Sequence, residues 1–209
     1  NYDVIVVGGG PAGLSAAIRL RQLAIGAGCE LKVCLLEKGA KIGAHTISGA
    51  IMDPVALTSL LPNWKKDGAP VTQQVLKEKL QFLTQKKSYS LPNPHFRNSG
   101  CYIISLGELT QWLGSQAEAL GVEIFPGFAA SQLITNSQGV VEGVVTGAMG
   151  VGKDGNNRAN FQPGLQIKAR QTLFAEGCRG HLSKEIISHF KLDNKSQNQS
   201  YSLGIKELW

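Results

Sequence analysis

The feature that most limits what this chain can fold into lies in its first 37 residues. An apolar run at 4–7 ends directly on Gly8, and the segment Gly8-Gly9-Gly10-Pro11-Ala12-Gly13 follows without a break. A continuous apolar run bounded by a turn suits a strand buried on both faces of a parallel sheet. Next comes a stretch over 14–23 in which Ala16, Ala17, Leu20 and Leu23 are spaced for one helical face, with Gly26 and Gly28 predicted to stop it. A second apolar run over 31–36 ends on Glu37. Strand, glycine turn, helix and strand make one parallel unit.

The spacing Gly8-x-Gly10-x-x-Gly13 has a physical use at each glycine. The first allows the tight turn out of the strand, the second lets a pyrophosphate approach the backbone, and the third lets the helix pack close to the sheet. The helix N-terminus then offers free N–H groups and partial positive charge to phosphate. A carboxylate at Glu37 is placed to accept the hydroxyl protons of an adenosine ribose, and it repels a 2′-phosphate, which disfavours NADP. The motif alone leaves NAD and FAD open.

Composition narrows the class further. With 43% apolar and 17% charged residues, the chain can build a sizeable core. The formal charge is +6, but Lys and Arg are scattered and aromatics make up only 7%. Neither a basic stripe nor a stacking surface is evident, so nucleic acid is not an expected partner. Cysteines 29, 34, 101 and 178 contain no C-x-x-C pair, which gives neither a disulfide framework nor a metal-binding spacing; reduced thiols are expected. His45, His95, His181 and His189 also lack ligand spacing and read as structural or surface residues. No targeting pattern precedes the first strand, and no apolar run is long enough to span a bilayer.

Further along, Asp53-Pro54 reads as a helix start, with Leu57, Leu60, Leu61 and Trp64 on one face. Residues 65–104 are Lys/Gln-rich without a helical period and read as short strands and loops. Ser105 with Glu108 has capping-box spacing and opens a helix to about 120. A strand over 122–125, a hairpin over 131–146, a long polar loop over 147–164, two strands over 165–168 and 172–175, and a helix over 182–190 follow. The stretch 201–209 reads as the start of another strand, as expected of part of a longer chain. The predicted fold class is α/β, a Rossmann-like FAD/NAD(P)-binding domain of the glutathione-reductase type with helices on both faces of a mostly parallel sheet. An inserted β-rich (α+β) subdomain interrupts it. Residues 1–67 and 105–180 are assigned to the dinucleotide domain, and 68–104 with 181–209 to the start of a second.

Two sets of blocks carry a resemblance. Residues 172–177, TLFAEG, resemble the T-x-x-x-A-x-G segment of flavoproteins with two dinucleotide domains, which favours FAD. The blocks VVGGGPAGLSAAIRL (6–20), EKGAKIGAHTISGA (37–50), NWKKDGAPVT (63–72), SLGELTQWLGSQAEALGVEIFPGFAA (105–130), GVGKDG (150–155), TLFAEGCRGHLSK (172–184) and GIKELW (204–209) together resemble the N-terminal part of the electron-transfer flavoprotein:ubiquinone oxidoreductase family. The resemblance implies FAD and a [4Fe–4S] cluster, whose cysteine ligands would lie outside this chain. It also implies electron-transfer flavoprotein and ubiquinone as partners, with a peripheral position on a membrane surface. That membrane would be the mitochondrial inner membrane, on its matrix side, or the bacterial cytoplasmic membrane.

Carried over residue by residue, Gly8, Gly10, Pro11, Ala12 and Gly13 would line the FAD pyrophosphate, with Glu37 on the ribose. Lys38 would lie near the adenine end, Gly43 and Ala44 on the flavin-ward side, and Gly177 in the second cofactor-facing turn. No catalytic side chain is implied, because the cofactors carry the redox chemistry. The stripe Leu57, Leu60, Leu61 and Trp64 has two readings: a core face, or a membrane contact near the quinone entrance. The membrane reading is carried forward because Lys65 and Lys66 follow the terminal Trp, as in an interfacial helix. A membrane-associated enzyme like geranylgeranyl reductase, acting on isoprenoid double bonds, and an inactive dinucleotide-binding module remain as alternatives. On its own, this stretch is expected to be inactive in quinone reduction.

Overall fold

The computed structural model describes residues 1–47, 49–93, 97–151, 154, 156–197 and 199–201. In chain order the elements are β1 (Tyr2–Val7), α1 (Pro11–Gly26), β2 (Val33–Glu37), β3 (Ala50–Met52), α2 (Val55–Leu60), β4 (Gln73–Gln74), β5 (Leu80–Leu83), β6 (Ser88–Leu91) and β7 (Tyr102–Ile104). They continue with α3 (Leu106–Ala119), β8 (Glu123–Pro126), β9 (Ala130–Thr135), β10 (Val141–Thr146), β11 (Met149–Val151), β12 (Asn157–Gln162), β13 (Gln166–Phe174) and α4 (His181–Phe190).

The main sheet has the order β8-β2-β1-β13-β10-β9. Its first four strands are parallel, with Val4 opposite both Val33 and Gln171. The last two join antiparallel. β13 links the two halves: residues 166–168 pair with β10, whereas 169–174 pair with β1. This replaces the two separate strands expected over 165–175. No turn residue interrupts the run from Gln166 to Phe174, and hydrogen-bonding partners are available along its whole length.

Side-chain alternation on β1 and β2 divides the core into two layers. Val4, Val6, Val33 and Leu35 face one cluster, which includes Leu14, Ala17 and Ile18 of α1 and Leu109, Leu113 and Ala117 of α3. Ile5, Val7, Cys34 and Leu36 face the other, with Val144 of β10, Leu182 of α4 and the flanking Leu133 and Ile167. Each fully buried aliphatic side chain contributes roughly 1.5–3 kcal/mol. Helices were expected on both faces. The second face is instead covered mainly by the β9–β10 hairpin, and α4 places only Leu182 in that buried cluster. In α1 the buried positions are Gly13, Leu14, Ala17, Ile18 and Ala24, so the predicted face is rotated and Leu23 is 54% exposed.

The membrane reading of the α2 stripe is overturned. Leu57 and Trp64 are buried, and Leu60 and Leu61 pack against the same cluster as α1 and α3. Trp64 donates its indole N–H to Thr58 Oγ1 (3.0 Å) and meets the Tyr102 ring edge-on. Gln22 of α1 caps the end of α2 through the Leu60 carbonyl. A stripe with that spacing fits a core as well as a bilayer, and here the α1–α3 layer supplies the apolar partner.

Residues 147–164 are not one loop, since β11 and β12 pair as a hairpin within them. Elsewhere the local signals hold. Asp53 accepts from Val55 N–H at the start of α2, Ser105 Oγ accepts from Glu108 N–H at the start of α3, and Gly121 follows that helix at φ +84°. The short strands expected over 65–104 are β4 to β7, with β3-β7-β4 forming one small sheet and β5-β6 another. Residues 202–209 of the last predicted strand, and His95, lie outside the described residues.

Candidate dinucleotide site

The parallel strands β1, β2 and β13 end side by side, and their C-terminal ends carry Gly8, Glu37 and the turn at Gly177. Gly8 adopts φ +111°, and a Cβ there would stand 2.3 Å from the Ala175 carbonyl oxygen. Gly13 lies so close to the turn that a Cβ would fall 2.0 Å from the Gly8 carbonyl oxygen. Both positions require glycine for packing alone. Gly10 differs, because nothing lies within 4 Å of its notional Cβ. The backbone there borders open space.

That space lies at the start of α1. Gly10 is the N-cap and contributes no side-chain acceptor, Pro11 has no N–H, and no acidic residue occupies the first turn. Leu14 N–H makes the first helical bond, to Gly10 O, so the amides of Ala12 and Gly13 have no partner within the helix. A 16-residue helix with an uncapped, carboxylate-free N-terminus is suited to an anion. The start of α4 provides a contrast. There Glu176 accepts from the N–H groups of Leu182 (3.3 Å) and Ser183 (2.7 Å) and from the Ser183 hydroxyl (2.7 Å). One glycine turn leaves its helix end open and the other has it closed by a carboxylate.

Glu37 is half-buried beside the loop. Its two oxygens accept from Gly9 N–H (2.8 Å) and Gly39 N–H (2.6 Å). A carboxylate has about four acceptor positions, so two remain for hydroxyl donors. Ile42 reaches back to Gly9, where its Cδ1 would be 2.6 Å from a Cβ, and also packs on Gly114 of α3. Gly43, at φ +79°, abuts the Gly107 carbonyl at the start of α3, and Ala44 turns back through its N–H to Lys41 O. The structure therefore brings the Gly8–Gly13 turn and Glu37 together directly. Gly177 stands two residues beyond the Ala175 contact, at φ +81° with open space around it. Gly43 lies against α3, whereas Ala44 and Lys38 are solvent-exposed.

Sequence reasoning missed three participants. Ile42 had no signal beyond being apolar. The Gly39 amide could have been suspected from the Glu-Lys-Gly order, whereas Glu176 caps from a separation that matches no N-cap spacing. The remaining candidates do not converge. Among the described residues no cluster of His, Cys, Asp and Glu could hold a metal ion. Cys34 is buried in the sheet, Cys101 is half-buried, and Cys29 and Cys178 are exposed. Burial, reinforced by the Glu123 carboxylate, pushes the Cys34 thiol up to about 12. No helix among the described residues is long and apolar enough to cross a membrane.

Residues 6–78 match the family described as the NAD(P)-binding Rossmann-like domain. Over its whole length the chain is 50% identical to the mitochondrial electron transfer flavoprotein-ubiquinone oxidoreductase of Dictyostelium discoideum and covers 35% of that protein. Identity is 52% to the protein of the same name from Arabidopsis thaliana, again over all of this chain and 33% of the relative. For the human protein it is 48% over 99% of this chain and 34% of the relative. The resemblance read from the sequence blocks thus extends along the chain, which spans about a third of the length of these curated relatives. Among solved structures, FqzB superposes with a TM-score of 0.58 at 20% identity, covering 90% of this chain and 38% of that one. A geranylgeranyl bacteriochlorophyll reductase-like protein from Thermoplasma acidophilum gives 0.56 at 20%, covering 83% and 38%. These two show the fold, which is the predicted α/β Rossmann-like class.

Proposed function

We propose that this chain is the FAD-binding part of an oxidoreductase that takes electrons from electron-transfer flavoprotein and reduces ubiquinone to ubiquinol. The observation that carries the reading is identity near 50% from end to end with relatives bearing that name. The site geometry is compatible with it. Gly8 and Gly13 shape the turn, Gly10 leaves the approach to the backbone open, and the amides of Ala12 and Gly13 would meet a pyrophosphate. Glu37 keeps two acceptor positions for a ribose, while Pro11 fixes the first helical residue. In this reading Gly177 would supply the second cofactor-facing turn, Gly43 and Ala44 would lie on the flavin-ward side, and Lys38 would lie near the adenine end. When bound, the flavin supplies the capacity to take up electrons singly and to store two. The protein's own contribution is placement, and no side chain is assigned as catalytic.

The [4Fe–4S] cluster belongs to the same proposal, with its ligands outside this chain. The four cysteines here are too dispersed to hold it. A peripheral position on the mitochondrial inner membrane, or on the bacterial cytoplasmic membrane, is also proposed, but with a different contact from α2. In the β5–β6 hairpin, Leu80 pairs with Leu91 and Phe82 with Tyr89, so these four side chains share one face. All four are exposed, and Leu83 beside them is 70% exposed. Lys77, Lys79, Lys86 and Lys87 flank the pairs. Apolar side chains with lysines at their margin suit a headgroup interface.

Flavin and iron content of the full-length protein tests the reading. One FAD with about four irons per polypeptide is the expected result. FAD without iron would favour an enzyme like the geranylgeranyl reductases, and a protein that holds neither would favour an inactive module.

A further inference from the structure

A second concavity, separate from the glycine turn, has a volume of about 360 Å³. Its walls are Pro54, Pro62, Trp64 and Tyr102. Thr58, Asn63, Lys65 and Lys66 supply polar groups, and Gly100 lies at its edge. Among the described residues no carboxylate lines it.

The chemistry of these groups is one-sided. The Trp64 and Tyr102 rings meet at 89°, with centroids 5.7 Å apart. The Lys65 ammonium stands over both, 5.1 Å from the first centroid and 5.7 Å from the second. The ring faces localise this cation by attraction to their π electrons, but they do not neutralise its charge. Lys65 and Lys66 take part in no ion pair among the described residues. Thr58 Oγ1 already accepts from the Trp64 indole, which directs its acceptor side inward and leaves its own O–H to donate. Gly100, at φ +86°, has nothing within 4 Å of its notional Cβ, so a ligand can approach bare backbone there. Among the described residues the cavity thus offers cations and donors with no opposing anion, beside apolar walls and with more room than a bare phosphate needs.

We propose that this cavity binds a phosphate ester, the phosphate meeting Lys65, Lys66 and the Thr58 hydroxyl while the organic part lies along Pro54, Pro62 and Tyr102. The ester has two possible sources, a soluble metabolite or a lipid headgroup. The proposal does not depend on the flavin reading.

The test uses the full-length protein and two probes, sn-glycerol 3-phosphate and phosphatidylcholine vesicles with or without phosphatidylglycerol. Saturable binding is expected, weakened about tenfold by Lys65→Gln and by Lys66→Gln, because a charge-assisted bond to phosphate is lost in each. Lys65→Arg keeps a cation over the rings and should retain affinity, while Lys86→Gln on the hairpin should leave glycerol 3-phosphate binding unchanged. Binding of the soluble ester with this pattern supports a metabolite. Preference for phosphatidylglycerol vesicles alone, lost in Lys65→Gln, supports a headgroup. The proposal is overturned if Lys65→Gln and Lys66→Gln match the unsubstituted protein with both probes, or if Lys86→Gln weakens glycerol 3-phosphate equally, which would mean diffuse surface charge. Should Lys65→Gln unfold, Lys66→Gln alone decides the matter, since its side chain takes no part in the aromatic contact.

Discussion

Individual positions in the nucleotide turn answer to different demands, and substitutions should separate them. Gly13→Val forces a side chain into the Gly8 carbonyl and Val6 Cγ1. It should cost about 1–3 kcal/mol or more and abolish flavin retention, read by thermal unfolding and by absorbance of the purified protein. Gly10→Ala meets no neighbour, so stability should hardly change while nucleotide affinity falls; equal affinity would remove the pyrophosphate from that position. Cys34 gives a pH signature. Its folded-state thiol is pushed up to about 12 from an ordinary value near 9, so the folded chain retains a proton that the unfolded chain loses. Stability from this group is therefore complete below pH 9 and declines as pH rises from about 9 through about 12. Cys34→Ala should flatten that decline in alkaline unfolding curves. At pH 8 the exposed Cys29 and Cys178 should react with a maleimide, whereas Cys34 should react only after denaturation.

At the level of elements, α2 packs into the core although its stripe also suits a bilayer, and the membrane contact is proposed for the β5–β6 hairpin instead. Leu57→Ala should destabilise the fold by about 2–5 kcal/mol, measured by denaturant unfolding, because Leu57 sits among the residues of the α1–α3 layer. Phe82→Glu should leave stability nearly unchanged, since Phe82 is 58% exposed, and should reduce partitioning onto anionic vesicles. Loss of folding with Phe82→Glu, or unchanged partitioning, would remove the hairpin from the membrane. The local signals for β1, α1, β2 and the Ser105 cap were legible because each depends on neighbours a few residues away. The fate of Leu60 and Leu61 was not, since an apolar stripe does not specify its partner. Nor was the hairpin face legible, because Leu80, Phe82, Tyr89 and Leu91 align only once the register is known. Likewise, the glycines and Glu37 were readable from motif spacing, whereas Ile42 and Glu176 act through contacts that no spacing encodes.

Across the whole molecule, one strand joins what would otherwise be two sheets. β13 pairs with β1 through Val4 and Gln171 and with β10 through Val144 and Ile167, and its continuation at Ala175 touches Gly8. The nucleotide turn is encoded at the beginning of the chain, but its wall is encoded near residue 175. During synthesis at about 5–20 residues per second, β1 therefore waits roughly 8–30 s for its central neighbour. Throughout that interval a flat apolar strand has one edge without its native partner, the condition in which strands pair wrongly with other chains. The cofactor cradle is thus a late product of translation, and ribosome-bound chains lacking β13 should depend on chaperones to keep their first strand from aggregating.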